Sequence, residues 1–153
     1  MTATPLPADF PAVTLRPARL ADAPAFASLA TQLGYPSSPR QVEKRMAAVL
    51  DDPKHLIVAA ESGGRVVGWA HAYVCCLVES DTFAELGGLV VDESRRGQVV
   101  GGKLLDQVEE WARQKGCHTV CLRSNVIRHE AHKFYAARGY HQIKTQHAFR
   151  KRL

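Results

Sequence analysis

The segment Leu89-Val90-Val91-Asp92-Glu93-Ser94-Arg95-Arg96-Gly97-Gln98-Val99-Val100-Gly101-Gly102-Lys103 passes from an apolar run through a basic, glycine-bearing turn into a helix start. Unpaired N–H groups at a helix N-terminus point outward, the helix dipole adds partial positive charge, and glycine lets an anion approach the backbone, so this pattern suits a pyrophosphate. An ordinary tight strand-to-helix connection uses the same residue types. Two nucleotide motifs are excluded. Gly97 to Lys103 nearly spells a P-loop, but Leu104 stands where a hydroxyl must hold magnesium. No G-x-G-x-x-G opens the helix, so the dinucleotide fingerprint is absent as well.

Metal chemistry finds no support. His118, His129, His132, His141 and His147 show no ligand spacing, and Cys75-Cys76 and Cys117/Cys121 form neither a zinc pattern nor a disulfide framework. The cysteines read as free, buried thiols.

The elements that must position the turn follow from periodicity. Val13 to Arg16 alternates as a strand. Asp22 caps a helix carrying Phe26, Leu29 and Leu33, which Gly34 stops; Ser38-Pro39-Arg40-Gln41 is a capping-box start for a second helix with Val42, Met46 and Val49 on one face. His55 to Glu61 and Arg65 to Val78 form a hairpin about Ser62-Gly63-Gly64, and Phe83 to Val91 is a further strand. Val100 to Ala112 is an amphipathic helix, His118 to Arg123 a strand, and Ile127, Ala131 and Phe134 mark a last helix ended by Gly139. Tyr140 to Arg152 alternates enough for one or two closing strands. The order β-α-α-β-β-β-α-β-α-β, without repeat or linker, makes residues 1–153 a single α/β (α+β) domain.

Composition agrees: 153 residues, 46% hydrophobic and 23% charged, make one globular domain with a normal core and leave no room for a second. No apolar run is long enough to span a bilayer, and Met1 to Ala12 lacks the basic start of a signal peptide, so a cytoplasmic protein is expected. The net charge of +5 favours anionic partners without choosing among them. Its basic residues are scattered, with no DNA-reading helix and no aromatic RNA-binding strand, which disfavours nucleic acid.

Arg96-Gly97-Gln98-Val99-Val100-Gly101 resembles the R-G-x-G-x-G/A acyl-CoA loop of the GNAT superfamily of N-acetyltransferases, and Ala131 to Tyr140 resembles its A-x-x-x-Y-x-x-x-G-F/Y signature. The two blocks are separated by one helix and one strand, as that family requires. Val99 replaces the middle glycine, which leaves the backbone donors in place provided its side chain points away. Arg128 stands where many members carry asparagine, leaving Asn125 as the alternative polar contact.

The resemblance implies a three-layer GNAT fold: a mixed, mostly antiparallel sheet of six to seven strands flanked by about four helices. It implies acetyl transfer from acetyl-CoA to an amine by direct attack. The coenzyme contacts would come from Leu89, Val90 and Val91, then Arg96, Gly97, Gln98, Val99, Val100, Gly101, Gly102 and Lys103, with Arg95 or Arg96 adding charge and Asn125 reaching the pantetheine or steadying its turn. An alkylamine near pKa 10.4 must lose a proton before attacking. Glu85 resembles the general-base glutamate of some members, with His71 as the other candidate. Tyr135 is by resemblance the acid that protonates the departing thiolate.

The two motif blocks look most like aminoalkylphosphonate and small-amine N-acetyltransferases, so the expected partner is a small-molecule amine entering near Leu33-Gly34-Tyr35-Pro36 and His71 to Asp81, with Tyr35 and Trp69 as possible walls. A homodimer is expected by analogy. A protein or aminoacyl-tRNA acetyltransferase and a non-catalytic CoA-binding module are the competing classes; a nucleotide-binding switch is the unrelated one.

Overall fold

The computed structural model describes residues 10–97 and 99–153. In chain order it contains β1 (Val13–Pro17), α1 (Ala23–Gln32), α2 (Pro39–Val49), β2 (His55–Ser62), β3 (Arg65–Leu77), β4 (Ser80–Val91), α3 (Val100–Gln114), β5 (Val120–Leu122) and α4 (His129–Ala137), with 3-10 turns at Leu20–Asp22 and Glu93–Arg95. The chain divides after Leu122 into two compact units, the first holding all five strands with α1 to α3, the second running from Arg123 to Leu153 with α4.

The sheet order is β1-β2-β3-β4-β5, antiparallel except for the parallel pair β4–β5. Its two faces are covered by different helices. Trp69 of β3 stacks on Phe26 of α1 with ring centroids 5.3 Å apart, and Ala59, Phe26 and Met46 join in one buried cluster with Val42 and Ile57 packed against it. On the opposite face Gly68 lies under α3. A Cβ there would sit 2.9 Å from the Val90 carbonyl and 3.3 to 3.4 Å from Leu104 and Val100, so only glycine allows α3 this close. Val100, Leu104, Leu105 and Val108 are completely buried at that contact, each contributing about 1.5–3 kcal/mol relative to exposure.

Local signals explain the helix starts. Ser38 accepts from the Gln41 amide while Gln41 Oε1 accepts from the Ser38 amide, closing the capping box with Pro39 at the first helical position. Asp22 does occupy the N-cap of α1, but its carboxylate does not cap it. It accepts instead from both terminal nitrogens of Arg16 at 2.8 Å and from the Arg19 amide. A nearby guanidinium competes successfully with a backbone amide because both partners are charged. Arg16 and the Arg19 amide hold the Asp22 carboxyl below the usual carboxylate range.

Among the described residues the sheet has five strands rather than six to seven. The expected closing strands in Tyr140 to Arg152 do not form, because alternation gives a segment two faces but not a neighbour to hydrogen-bond, and no ladder reaches residues 140–153. Ile143 and Phe149 are exposed, as are Arg150, Lys151 and Arg152. The four cysteines are free thiols: Cys117 is buried, where desolvation pushes its pKa up, Cys75 and Cys121 are half-buried, and Cys76 is exposed at the end of β3. Among the described residues no helix is long and apolar enough to cross a membrane.

Candidate active site

One strand, β4, links the two regions with chemical potential. The β4–β5 ladder pairs only Ala84, Glu85 and Leu86 with Val120, Cys121 and Leu122. From Gly87 to Val91, β4 keeps its ladder to β3, and among the described residues no strand pairs with its other edge. Backbone groups alternate between the two edges of a strand, so Leu89 and Val91 present theirs to that edge, where the Val91 carbonyl accepts from Arg96 Nε, while Val90 turns its own toward β3.

Past Val91 the chain turns toward α3. Asp92 accepts from the Ser94 amide at 2.9 Å, from the Ser94 hydroxyl, and from Gln32 Nε2 of α1 at 3.2 Å, while Gln32 Oε1 accepts from the Glu93 amide at 3.0 Å. Hydrogen bonds from Ser94, with a smaller one from Gln32, hold the Asp92 carboxyl below its ordinary range. Gly97 adopts the left-handed conformation, φ 75°, which costs other residues about 1–2 kcal/mol. The Lys103 amide of α3 donates to the Val99 carbonyl at 3.0 Å. The Val100 and Gly101 amides precede it and have no intrahelical acceptor. The Val99 side chain is 66% exposed, so it stands clear of these donors. Gln98, expected to contribute to the loop, lies outside the described residues.

The basic residues of the loop divide. Arg95 is buried, donates to Ser62 Oγ at 3.0 Å and stacks over the Phe10 ring at 4.3 Å, so its charge serves the fold. Arg96 is exposed beside the turn, its Nε donating to the Val91 carbonyl at 3.3 Å, and Lys103 Nζ lies 3.5 Å from the Val13 carbonyl. Exposed cations next to helix-head amides fit an anionic diphosphate.

At the other end of β4 the register assembles a second region on the α1 side of the sheet. His55, Tyr73 and Glu85 lie side by side across β2, β3 and β4, and the next row is Ile57, His71 and Gly88. A bulge places Gly87 between the rows, so that Gly87 and Gly88 both direct their missing side chains to this face. A Cβ at Gly87 would lie 3.4 Å from the Tyr73 ring and 3.6 Å from His71 Nδ1; one at Gly88 would strike Trp69 at 2.9 Å. The result is a bare backbone floor walled by Trp69, His71 and Tyr73. His71 Nε2 and His55 Nδ1 are 2.9 Å apart in a hydrogen bond, with the two rings within 19° of parallel. Burial, and then the neighbouring His55, push the His71 pKa down from 6.5 to about 4, so its imidazole is neutral near pH 7. Glu85 is buried, at 6% exposure.

In the second unit Tyr135 sits edge-on between Phe134 and Tyr140, with centroids 5.1 and 5.8 Å away. Burial raises its pKa above the ordinary 10, against a smaller opposing effect of Arg128. The phenol therefore keeps its proton near neutrality and has one to give. Asn125 Oδ1 accepts from the Ile127 amide at 3.2 Å and its carbonyl accepts from the Arg128 amide at 3.0 Å, so the residue steadies its turn.

Glu85 and His71 thus share one face, and Arg96, Gly97 and the α3 head adjoin one another at the far end of the same strand. Tyr35, expected as a wall, is 70% exposed, whereas Trp69 is packed on Phe26. His55, Tyr73 and the Gly87-Gly88 bulge escaped the sequence reading. Two consecutive glycines inside a β-rich run are a bulge signal, whereas counting outward from the 62–64 turn sets His55 opposite Ala72, and only the register shift at Ala60/Glu61 brings it opposite Tyr73. An open basin of about 590 Å³ lies elsewhere, lined by Arg16, Asp22, Glu61 and Arg65. Its Arg16 is already bound to Asp22 and Glu61, so it holds the fold together. Among the described residues no group of three or more His, Cys, Asp or Glu could hold a metal ion.

Residues 23–140 match the Acetyltransferase (GNAT) family. The chain is 31% identical over 147 residues to an aminoglycoside N(6')-acetyltransferase type 1 of Stenotrophomonas maltophilia, a match covering 93% of this chain and 95% of that protein. It is 38% identical over 97 residues to the aminoalkylphosphonate N-acetyltransferase of Salmonella typhimurium, spanning 63% of each chain. Among solved structures, an aminoglycoside N-acetyltransferase in complex with CoA superposes with a TM-score of 0.83 at 20% identity, over 97% of this chain and 99% of that one.

Proposed function

The chain belongs to the GNAT acetyltransferase family, and from that premise we propose that it moves the acetyl group of acetyl-CoA to the primary amine of a small molecule by direct attack. The observation that carries this reading is the open edge of β4 between the Gly87 bulge and the α3 head. Its backbone groups suit the amides of a pantetheine arm, and the helix-head amides beyond them suit the diphosphate. Leu89, Val90, Val91, Arg96, Gly97 and Val99 to Lys103 form this coenzyme site in the proposal. An aminoglycoside or an aminoalkylphosphonate is the acceptor class that the relatives favour.

Glu85 takes a proton from the acceptor ammonium at the glycine floor, freeing the nitrogen lone pair. The C–N bond forms as the thioester carbonyl becomes tetrahedral, and a β4 backbone N–H stabilises the oxyanion. The C–S bond then breaks, Tyr135, which burial keeps protonated, gives its proton to the thiolate, and the second proton that the acceptor nitrogen sheds on becoming an amide restores the phenol. The two compact units act as one domain in this scheme. The protein works in the cytoplasm, and it forms a homodimer, a proposal supported by the exposed Ile143, Phe149 and Leu153 on a segment that pairs with no strand.

The test is an amine panel including kanamycin, 2-aminoethylphosphonate and polyamines, with acetyl-CoA and thiol detection of released CoA, alongside Tyr135→Phe. Turnover with one class and a loss of roughly a hundred-fold in Tyr135→Phe are expected. Binding of CoA without turnover on any amine would instead identify a non-catalytic CoA module, and sedimentation reads the dimer.

A further inference from the structure

The proton that Glu85 removes must leave before the next turnover, and the acceptor face contains a structure suited to drain it. His71 and Glu85 are diagonal neighbours on adjacent strands, a placement with Cα atoms about 7–8 Å apart and within reach of long side chains. Gly87 lies between them, and its missing side chain leaves open the lane to His71 Nδ1. On its other side His71 is committed to His55 through the 2.9 Å Nε2–Nδ1 bond. Both imidazoles are half-buried, and His55 is the first residue of β2, at the end of the strand.

We propose that His71 and His55 form a proton relay that returns Glu85 to its carboxylate by carrying the acceptor's proton through two imidazoles to solvent. The inference rests on Glu85 being the base. The proton leaves the Glu85 carboxyl, directly or through one water, for His71 Nδ1. The Nε2 proton of His71 passes to His55 Nδ1, and His55 Nε2 releases its own proton to water. One proton enters and one leaves, each ring ends with a single N–H, and no redox partner is needed. A second step, rotation or back-exchange of both rings, restores the starting tautomers.

The other groups facing His71 are consistent with transit rather than storage. From β3 it meets Tyr73 and from β2 His55, Glu85 of β4 stands one row away opposite Tyr73, and the helices bring Phe26, Val42 and Met46 to this layer, none titratable. Its depressed pKa of about 4 means that a proton arriving there at neutral pH is passed on. His55 touches neither amine nor thioester in this scheme and is a positioning and relay residue.

The experiment compares wild type, His55→Gln and Gly87→Ala as full-length chains, with acetyl-CoA and whichever of kanamycin or 2-aminoethylphosphonate turns over, in weak and in strong buffer. Gly87→Ala is sterically tolerable, since its methyl meets ordinary contact distances, yet it fills the lane. Both variants should lose at least about ten-fold in kcat in weak buffer with KM unchanged, and added 4-methylimidazole should restore most of the loss for His55→Gln. Glu85→Gln should lose activity that no buffer restores. Wild-type kcat in His55→Gln at low buffer, or a loss that imidazole leaves untouched, overturns the relay while leaving the Glu85 reading standing; full activity in Glu85→Gln removes both. Nitrogen-15 spectra of histidine-labelled protein give a readout independent of turnover. The relay requires His71 at pH 7 to carry its proton on Nε2, and a resting Nδ1-protonated ring there overturns it.

Discussion

The two ends of β4 solve different problems with different materials. The loop end of the proposed site offers backbone: helix-head amides, a left-handed Gly97 and exposed cations, all contributed by one stretch of about a dozen residues. The floor end offers side chains, and its members come from three strands that meet only because β2, β3 and β4 adopt their register and its bulges. A site made of backbone tolerates side-chain change, as the exposed Val99 illustrates, whereas a site made of register fails if any strand slips by one residue. Damage to the floor should therefore appear in catalysis and acceptor binding, and damage to the loop in coenzyme affinity.

The largest effect expected is on the floor. Glu85→Gln keeps the size and hydrogen-bonding capacity of the side chain but removes its basicity, so kcat should fall by about 10²–10³ while calorimetric affinity for CoA stays within two-fold of wild type. Parallel loss of CoA binding would mean that the two ends of β4 are not separable.

Next comes acid stability. His71 is neutral in the fold with its pKa lowered from 6.5 to about 4, first by burial and then by His55. A lowered folded pKa means that the unfolded chain takes up the proton first, so this stability is complete above about pH 6.5 and is lost as pH falls toward 4, by roughly 2–3 kcal/mol. His71→Gln should flatten urea-derived stability across that window. Asp22 and Asp92, also lowered by their partners, lose their contribution only below the carboxylate range, so a steep slope between pH 6.5 and 4.5 that survives His71→Gln must come from elsewhere.

Gly88→Ala tests the wall. Its methyl would meet the Trp69 ring at 2.9 to 3.0 Å, and Trp69 is pinned against Phe26. Overpacking of this kind costs about 1–2 kcal/mol. Thermal unfolding should show that cost, and the acceptor KM should rise with no change in CoA affinity; an unshifted melting curve would show that Trp69 moves aside freely.

How far each region was legible follows from the same contrast. Helices α1 to α3 and the 62–64 hairpin declare themselves through local spacing, and the Ser38–Gln41 capping box forms as read. Asp22 was placed at the correct helix position but assigned the wrong partner, because Arg16 is brought to it by tertiary contact. His55 was invisible for the same reason: nothing within its own segment distinguishes it from any other strand histidine until β3 is laid beside it. The closing strands expected after Tyr140 illustrate the limit from the other direction, since their alternation is real and the neighbour they need is not supplied within the sheet.

The smallest effect expected is at the loop, and it is the cleanest in mechanism. Gly97 has φ 75° and open space where a Cβ would go. Gly97→Ala therefore adds no clash and only the strain of a left-handed alanine, about 1 kcal/mol. If the turn relaxes toward a right-handed conformation to escape that strain, Arg96 and the Val100 and Gly101 amides shift relative to one another. Affinity for CoA should then fall about five-fold, since 1.4 kcal/mol corresponds to ten-fold, and affinity for 3'-dephospho-CoA should fall by the same factor because both share the diphosphate. Acceptor KM and the pH profile should not move. A variant that weakens CoA but not its diphosphate-bearing analogue would place the turn at another part of the coenzyme, and an unchanged affinity for both would show that the loop grips through Arg96 and Lys103 instead of through its backbone.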